Sequence, residues 1–151
     1  MRTARNILES KLKPYNTVSP DTLVIDALSM LNAVNLSYLV VMEKDEYRGI
    51  FSERDYTRNL ILKGLSSRDT PVSKVMTVDV PIVRLFDTVE HCMNVMNTYK
   101  TRYLLVYDAN DHFNGIITIH DLLREVLANK EDVFDHHLTR RLMQQDYQSI
   151  F

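Results

Sequence analysis

The chain has 151 residues with 18 basic and 20 acidic side chains, a net charge of −2, and so lacks the basic surplus that nucleic-acid binding needs. Its hydrophobic share of 45% and charged share of 25% are those of a globular protein able to bury its own core, and no apolar run approaches the roughly 18 residues of a membrane span. A single cysteine, Cys92, excludes an intrachain disulfide and, with no signal-peptide core in Met1–Leu12, points to the cytoplasm.

Residues 1–15 read as an N-terminal segment with a short helix. A first unit over residues 16–64 opens at Val18. It continues through an amphipathic helix with Val24, Ala27, Leu28 and Leu31 on its apolar stripe and Thr22 as N-cap. Tyr38–Val41 is a short apolar run of strand character, Glu43–Glu46 a polar turn, and Gly49–Ser52 the returning strand of a hairpin. A helix follows from about Glu53 to Lys63, with Gly64 as its C′ residue. The connector, 65–77, contains Thr70-Pro71, a helix-start signal with proline in the first helical position.

A second unit over residues 78–128 repeats the first. Val83 lies 65 residues beyond Val18, and Val89, Cys92, Met93 and Met96 lie 65 beyond the first stripe, with Asp87 and Glu90 at capping-box spacing. Tyr103–Val106 keeps the same offset, whereas Gly115–Thr118 follows Gly49–Ser52 by 66, so the turn Asp108–Asp111 has gained a residue. A last helix of the unit runs from Ile119 to about Asn129. In the tail, 129–151, Glu131–Phe151 is helical in character with Leu138, Leu142 and Met143 on one face. The expected fold is α+β: two copies of strand–helix–strand–strand–helix, each too small to cover its sheet alone and therefore packed together with pseudo-twofold symmetry.

Each copy carries one polar motif. Gly49-Ile-Phe-Ser-Glu-Arg-Asp55 and Gly115-Ile-Ile-Thr-Ile-His-Asp121 both read Gly, two apolar residues, Ser or Thr, two variable residues, Asp. Ser52 and Thr118 can cap the following helix, and Asp55 and Asp121 then fall in its first turn, as a structural capping box requires. The functional alternative rests on duplication next to a buried strand: a carboxylate so placed can accept both hydrogen bonds from a ribose diol, and nearby N–H groups suit a phosphate. Three glycines are too few for a Gly-x-Gly-x-x-Gly or P-loop cradle.

These motifs, with Leu65-Ser-Ser-Arg-Asp-Thr-Pro-Val-Ser-Lys-Val-Met-Thr77, resemble the CBS (cystathionine β-synthase) domain. The pair resembles a Bateman module of the stand-alone bacterial two-CBS kind over roughly Ile7–Leu127. The resemblance implies two clefts between the paired domains for an adenine nucleotide. AMP is favoured, with ADP, ATP, NAD or S-adenosylmethionine as alternatives. It assigns Ser52 with Asp55 to one cleft and Thr118 with Asp121 to the other, and it places Thr17 and Ile82 beside the adenine. Arg54 and Arg102 are phosphate candidates, with a surface ion pair the equal alternative for Arg102; so are Arg58 and Arg124, which a solvated surface suits equally. His120 stands where Arg54 stands in the first copy, so phosphate-rich ligands are expected to prefer the site Arg54 reaches. His120 also stands where the family favours a small residue, and Leu104 where it favours proline. A homodimer and a regulated partner protein are implied as well.

Other constellations are weaker. Asp135-His136-His137 sets adjacent histidines about 100° apart on a helix, a poor metal face. Cys92 lies on an apolar stripe and reads as core. No Ser–His–Asp or paired-carboxylate arrangement supports catalysis. The expected function is a sensor that binds nucleotide and alters a partner or its own assembly, and that is not an enzyme; the rival is a dimerising scaffold with vestigial clefts.

Overall fold

The computed structural model describes residues 1–11, 15–34, 36–128 and 136–150, with the side chains of 136 and 147–150 excepted. The chain forms two compact units: one is Tyr15–Asp79, and the other joins the described residues among 1–14 to those of 80–151.

In the first unit β1 (Thr17–Val18) pairs in parallel with β2 (Tyr38–Glu43), which pairs antiparallel with β3 (Glu46–Ser52). Helix α2 (Val24–Val34) buries Val24, Ala27 and Leu31 against this sheet's core. It begins two residues after Thr22, whose hydroxyl lies 3.1 Å from that of Ser19; Leu23, bridged to Pro71, fixes the start instead. Helix α3 starts as Glu53–Asp55 and continues as π-helical turns over Tyr56–Ile61. It closes as the sequence predicts. Gly64 takes φ +71°, its N–H donates to the Ile61 carbonyl and that of Leu65 to Leu60, a Schellman closure that a side chain at Gly64 would strain. Pro71, expected as the first helical residue, instead has extended backbone (φ −73°, ψ 151°) and precedes a single 3₁₀ turn, Val72–Lys74, which starts one residue later than expected.

The second unit repeats this order: β4 (Ile82–Arg84), α4 (Val89–Tyr99), β5 (Tyr103–Tyr107), β6 (Phe113–Thr118) and α5 (Ile119–Ala128). Asn129 lies outside the described residues. The register Tyr103↔Thr118 reproduces Tyr38↔Ser52, and both hairpins bulge at the same place, between Val41 and Met42 and between Val106 and Tyr107. The cap of α4 is Thr88, whose hydroxyl accepts from the His91 N–H at 3.0 Å. The expected cap, Asp87, instead accepts from the Arg84 N–H at 2.8 Å and closes the turn after β4.

Two flanking helices complete this unit. Helix α1 (Ala4–Ser10) docks by main-chain hydrogen bonds from Ala4 to Asp87 and from Arg5 to Leu85, and it buries Ala4 and Ile7 in the core. Helix α6 (His136–Ile150) packs on α4 and α5 through Leu138 and Leu142. Met143, expected beside them, is 56% exposed, because one step past Leu142 turns the side chain about 100° off the buried stripe. Cys92 is fully buried, and burial pushes its thiol up to about 12, as befits a packing residue. Among the described residues no helix is long and apolar enough to cross a membrane.

Candidate functional site

Each sheet presents its motif at the same place, the end of the last hairpin strand. In the first unit Ser52 and Asp55 form a reciprocal cap: the Asp55 Oδ2 accepts from the Ser52 N–H and hydroxyl, both at 2.9 Å, and the Asp55 N–H donates to Ser52 Oγ at 3.3 Å. The other oxygen, Oδ1, accepts the Thr77 hydroxyl at 2.6 Å and the Asn59 amide at 3.3 Å. Burial raises the Asp55 carboxyl above its ordinary value, opposed by the hydrogen bonds from Thr77 and Ser52 and more weakly by the charge of Arg54. Its partners are hydroxyls and amides.

Thr77 reaches Asp55 from the connector, and Gly49 lets it. Thr77 exchanges two main-chain hydrogen bonds with Ile50, at 2.8 and 2.9 Å, and a Cβ on Gly49 would meet Met76 Sδ at 2.7 Å and the Thr77 carbonyl at 3.0 Å. The side chain absent from Gly49 is what permits this approach.

In the second unit the cap recurs: the Thr118 N–H donates to Asp121 Oδ2 at 2.9 Å and the Asp121 N–H to Thr118 Oγ at 3.2 Å. The remaining partners are cations. Lys11 Nζ donates to Asp121 Oδ2 at 2.9 Å and to the Ile116 carbonyl at 3.0 Å, and Arg124 donates to Oδ1 at 2.9 Å. Lys11 sits 66 residues before Thr77, and Ile116 sits 66 after Ile50, so one ammonium serves both acceptors that Thr77 serves with its N–H and hydroxyl. One turn along, Glu125 takes the place of Asn59 and is held by a bidentate Arg2, at 2.6 and 2.8 Å. Lys11, Asp121, Arg124 and Glu125 face a cavity of about 500 Å³ within this unit.

The other predicted residues fall in two groups. Thr17 and Ile82 occupy equivalent first positions of β1 and β4, and both are exposed. Arg102 and His120 turn toward α6: Arg102 pairs with Asp146 at 2.8 Å, His120 lies 3.8 Å from the same carboxylate, and Gln145 donates to the Thr101 carbonyl at 2.7 Å. The Arg102 Nε is buried with no hydrogen-bond partner among the described residues. Arg54 is half-buried beside Asp55 and Arg58 is exposed. Of the metal alternative, Asp135 and the His136 side chain lie outside the described residues, and among those described no group of three metal-ligating side chains occurs.

Sequence reasoning missed Lys11, Thr77 and Asn59. Asn59 could have been found by helical spacing, one turn after Asp55. Lys11 and Thr77 come from the segments that precede each copy and act on the other copy's motif; only their common offset of 66 gives a hint.

The sequence profile of the CBS domain matches residues 5–62 and 72–128. A 17.7 kDa protein of Acidianus ambivalens is 34% identical over 113 residues, covering 73% of this chain and just under two thirds of its own length (66%). A CBS-domain protein from Burkholderia ambifaria is similar in structure with a TM-score of 0.76, 31% identity, and 85% of this chain and 96% of that chain covered. CBSX2, solved in complex with AMP, superposes with a TM-score of 0.72 at 26% identity, covering 87% of this chain and 100% of its own.

Proposed function

The chain belongs to the CBS-domain family, with two copies of that domain, and from this premise we propose that it is a regulatory adenine-nucleotide-binding module that catalyses no reaction. In this reading AMP is the leading ligand, and ADP, ATP, NAD or S-adenosylmethionine are the alternatives. Ligand binding alters the behaviour of a partner or of the chain's own homodimer, and the module works in the cytoplasm. The observation that carries the proposal is the duplicated buried carboxylate. Asp55 and Asp121 are each 5% exposed and each held by a Ser or Thr three residues earlier, at corresponding positions of two hairpins with matching register and bulge. The AMP complex of CBSX2 supports the ligand class.

The mechanism is exchange. A ribose diol offers two hydroxyl donors, the same chemistry that Thr77, an exposed residue, gives to Asp55 Oδ1. A ligand that replaces such a donor reaches the carboxylate without leaving it unsatisfied. Regulation then requires that the ligand's affinity differ between two arrangements of the protein.

The scaffold reading draws on one fact: both carboxylates are already satisfied by donors of their own chain, as a purely structural cap would be. A thermal-shift panel separates the two readings. AMP, ATP, NAD and S-adenosylmethionine are tested on the full chain, where a ligand at 100 times its Kd adds about 2.7 kcal/mol. Stabilisation by at least one, reduced by Asp55→Ala and by Asp121→Ala, is the expected result. A flat panel on a folded protein favours the scaffold.

A further inference from the structure

We propose that Lys11 sets the ligand selectivity of the second motif, so that Asp121 is reached by nucleotides bearing a phosphate and discriminates against phosphate-free nucleosides far more than Asp55 does. The inference rests on the nucleotide reading above and concerns which members of that class each motif accepts.

The two carboxylates are alike in burial and in their Ser or Thr cap but differ in what a ligand must displace. At Asp55 the displaceable donor is the neutral hydroxyl of Thr77. Exchanging it for a ribose hydroxyl swaps one neutral donor for another and leaves no charge behind. At Asp121 the donors beyond the cap are the ammonium of Lys11 and the guanidinium of Arg124. The Lys11 side chain is 16% exposed and that of Asp121 4%, so this contact lies largely out of water. A neutral diol that took the place of Lys11 would strip a largely buried cation of its counter-charge and leave it only the Ile116 carbonyl. A phosphate removes that penalty, because it supplies a replacement anion to Lys11 and to Arg124, both of which line the 500 Å³ cavity beside Asp121.

The remaining charges at this site do not substitute for the phosphate. Glu125 on the same helix is already paired to Arg2 by two hydrogen bonds, so its charge is committed and does not serve as counter-charge to a displaced Lys11. Lys11 also adds a cation that a comparison of Arg54 with His120 leaves out, since it comes from upstream of the repeat.

Calorimetric titration of the full chain with AMP and with adenosine provides the test. Asp55→Ala leaves the second motif and Asp121→Ala leaves the first. The ratio of the adenosine Kd to the AMP Kd is expected to be at least about tenfold larger in Asp55→Ala than in Asp121→Ala, tenfold corresponding to about 1.4 kcal/mol. Adding Lys11→Thr, which gives Asp121 the partner type that Asp55 has, is expected to bring the first ratio down to the second, whereas Lys11→Arg keeps it high. Should an aspartate variant fail to fold, the wild-type chain and Lys11→Thr suffice: adenosine competition against bound AMP is biphasic in the former and monophasic in the latter. Equal ratios at the two motifs, or a ratio indifferent to Lys11→Thr, overturn the proposal. Absence of binding of AMP, ADP, ATP, NAD and S-adenosylmethionine alike to the wild-type chain overturns the nucleotide reading itself.

Discussion

The two motifs follow one template yet are held in opposite ways. Asp55 sits among hydroxyls and an amide, with its charge opposed by burial, while Asp121 sits between an ammonium and a guanidinium. The hairpins that present them share register and bulge, so the backbone does not account for the difference. It comes from two residues at matching positions ahead of each unit's first strand, Thr77 and Lys11. Duplication conserves geometry, and the residue at this one position decides the electrostatics.

The largest consequence concerns stability. Lys11→Met leaves the Ile116 carbonyl without its donor and Asp121 with a single, largely exposed cation, and is expected to cost about 2–4 kcal/mol in chemical denaturation. Thr77→Val removes one hydroxyl from a carboxylate that keeps three other donors, and is expected to cost about 1 kcal/mol. Equal losses would break the comparison. Smaller again is Arg124→Ala: the side chain is 73% exposed, and its pair with Asp121 is expected to contribute about 0.5 kcal/mol or less by the same measurement.

A further difference lies in pH response. The folded state raises the Asp55 carboxyl above its ordinary value of 3.8, so this group's contribution is complete below that value and is lost as pH rises through the raised one. Asp55→Asn cannot ionise. Its melting temperature relative to wild type is therefore expected to rise between pH 3.5 and pH 7, measured as paired thermal melts. A difference that is constant or falls across that range would place the carboxylate in a more favourable setting than described.

Much of the fold was legible because it is local and repeated. The offset that passes from 65 to 66 located the longer second turn, the spacing of Val24, Ala27 and Leu31 gave the buried face of α2, and Gly64 marked the end of α3 through a left-handed residue that glycine alone adopts without strain. Capping was legible only to within a residue. Ser, Thr and Asp all cap well, and at α4 the choice between Asp87 and Thr88 fell to Arg84, whose N–H claimed the carboxylate. The motif aspartates could be named from the template, but their partners could not. Lys11 meets Asp121 across 110 residues, and no periodicity carries that information. Nor does sequence name Asp146 of α6 as the partner of Arg102, for which phosphate contact and an ion pair are equal expectations.

The most direct test of the account is the stoichiometry of AMP binding by equilibrium dialysis on the wild-type, Asp55→Ala and Asp121→Ala chains. Two AMP per chain in the wild type and one in each variant are expected, because each carboxylate serves its own ligand. Unchanged stoichiometry in both folded variants would show that neither side chain holds the sugar, and the two motifs would then be structural caps alone.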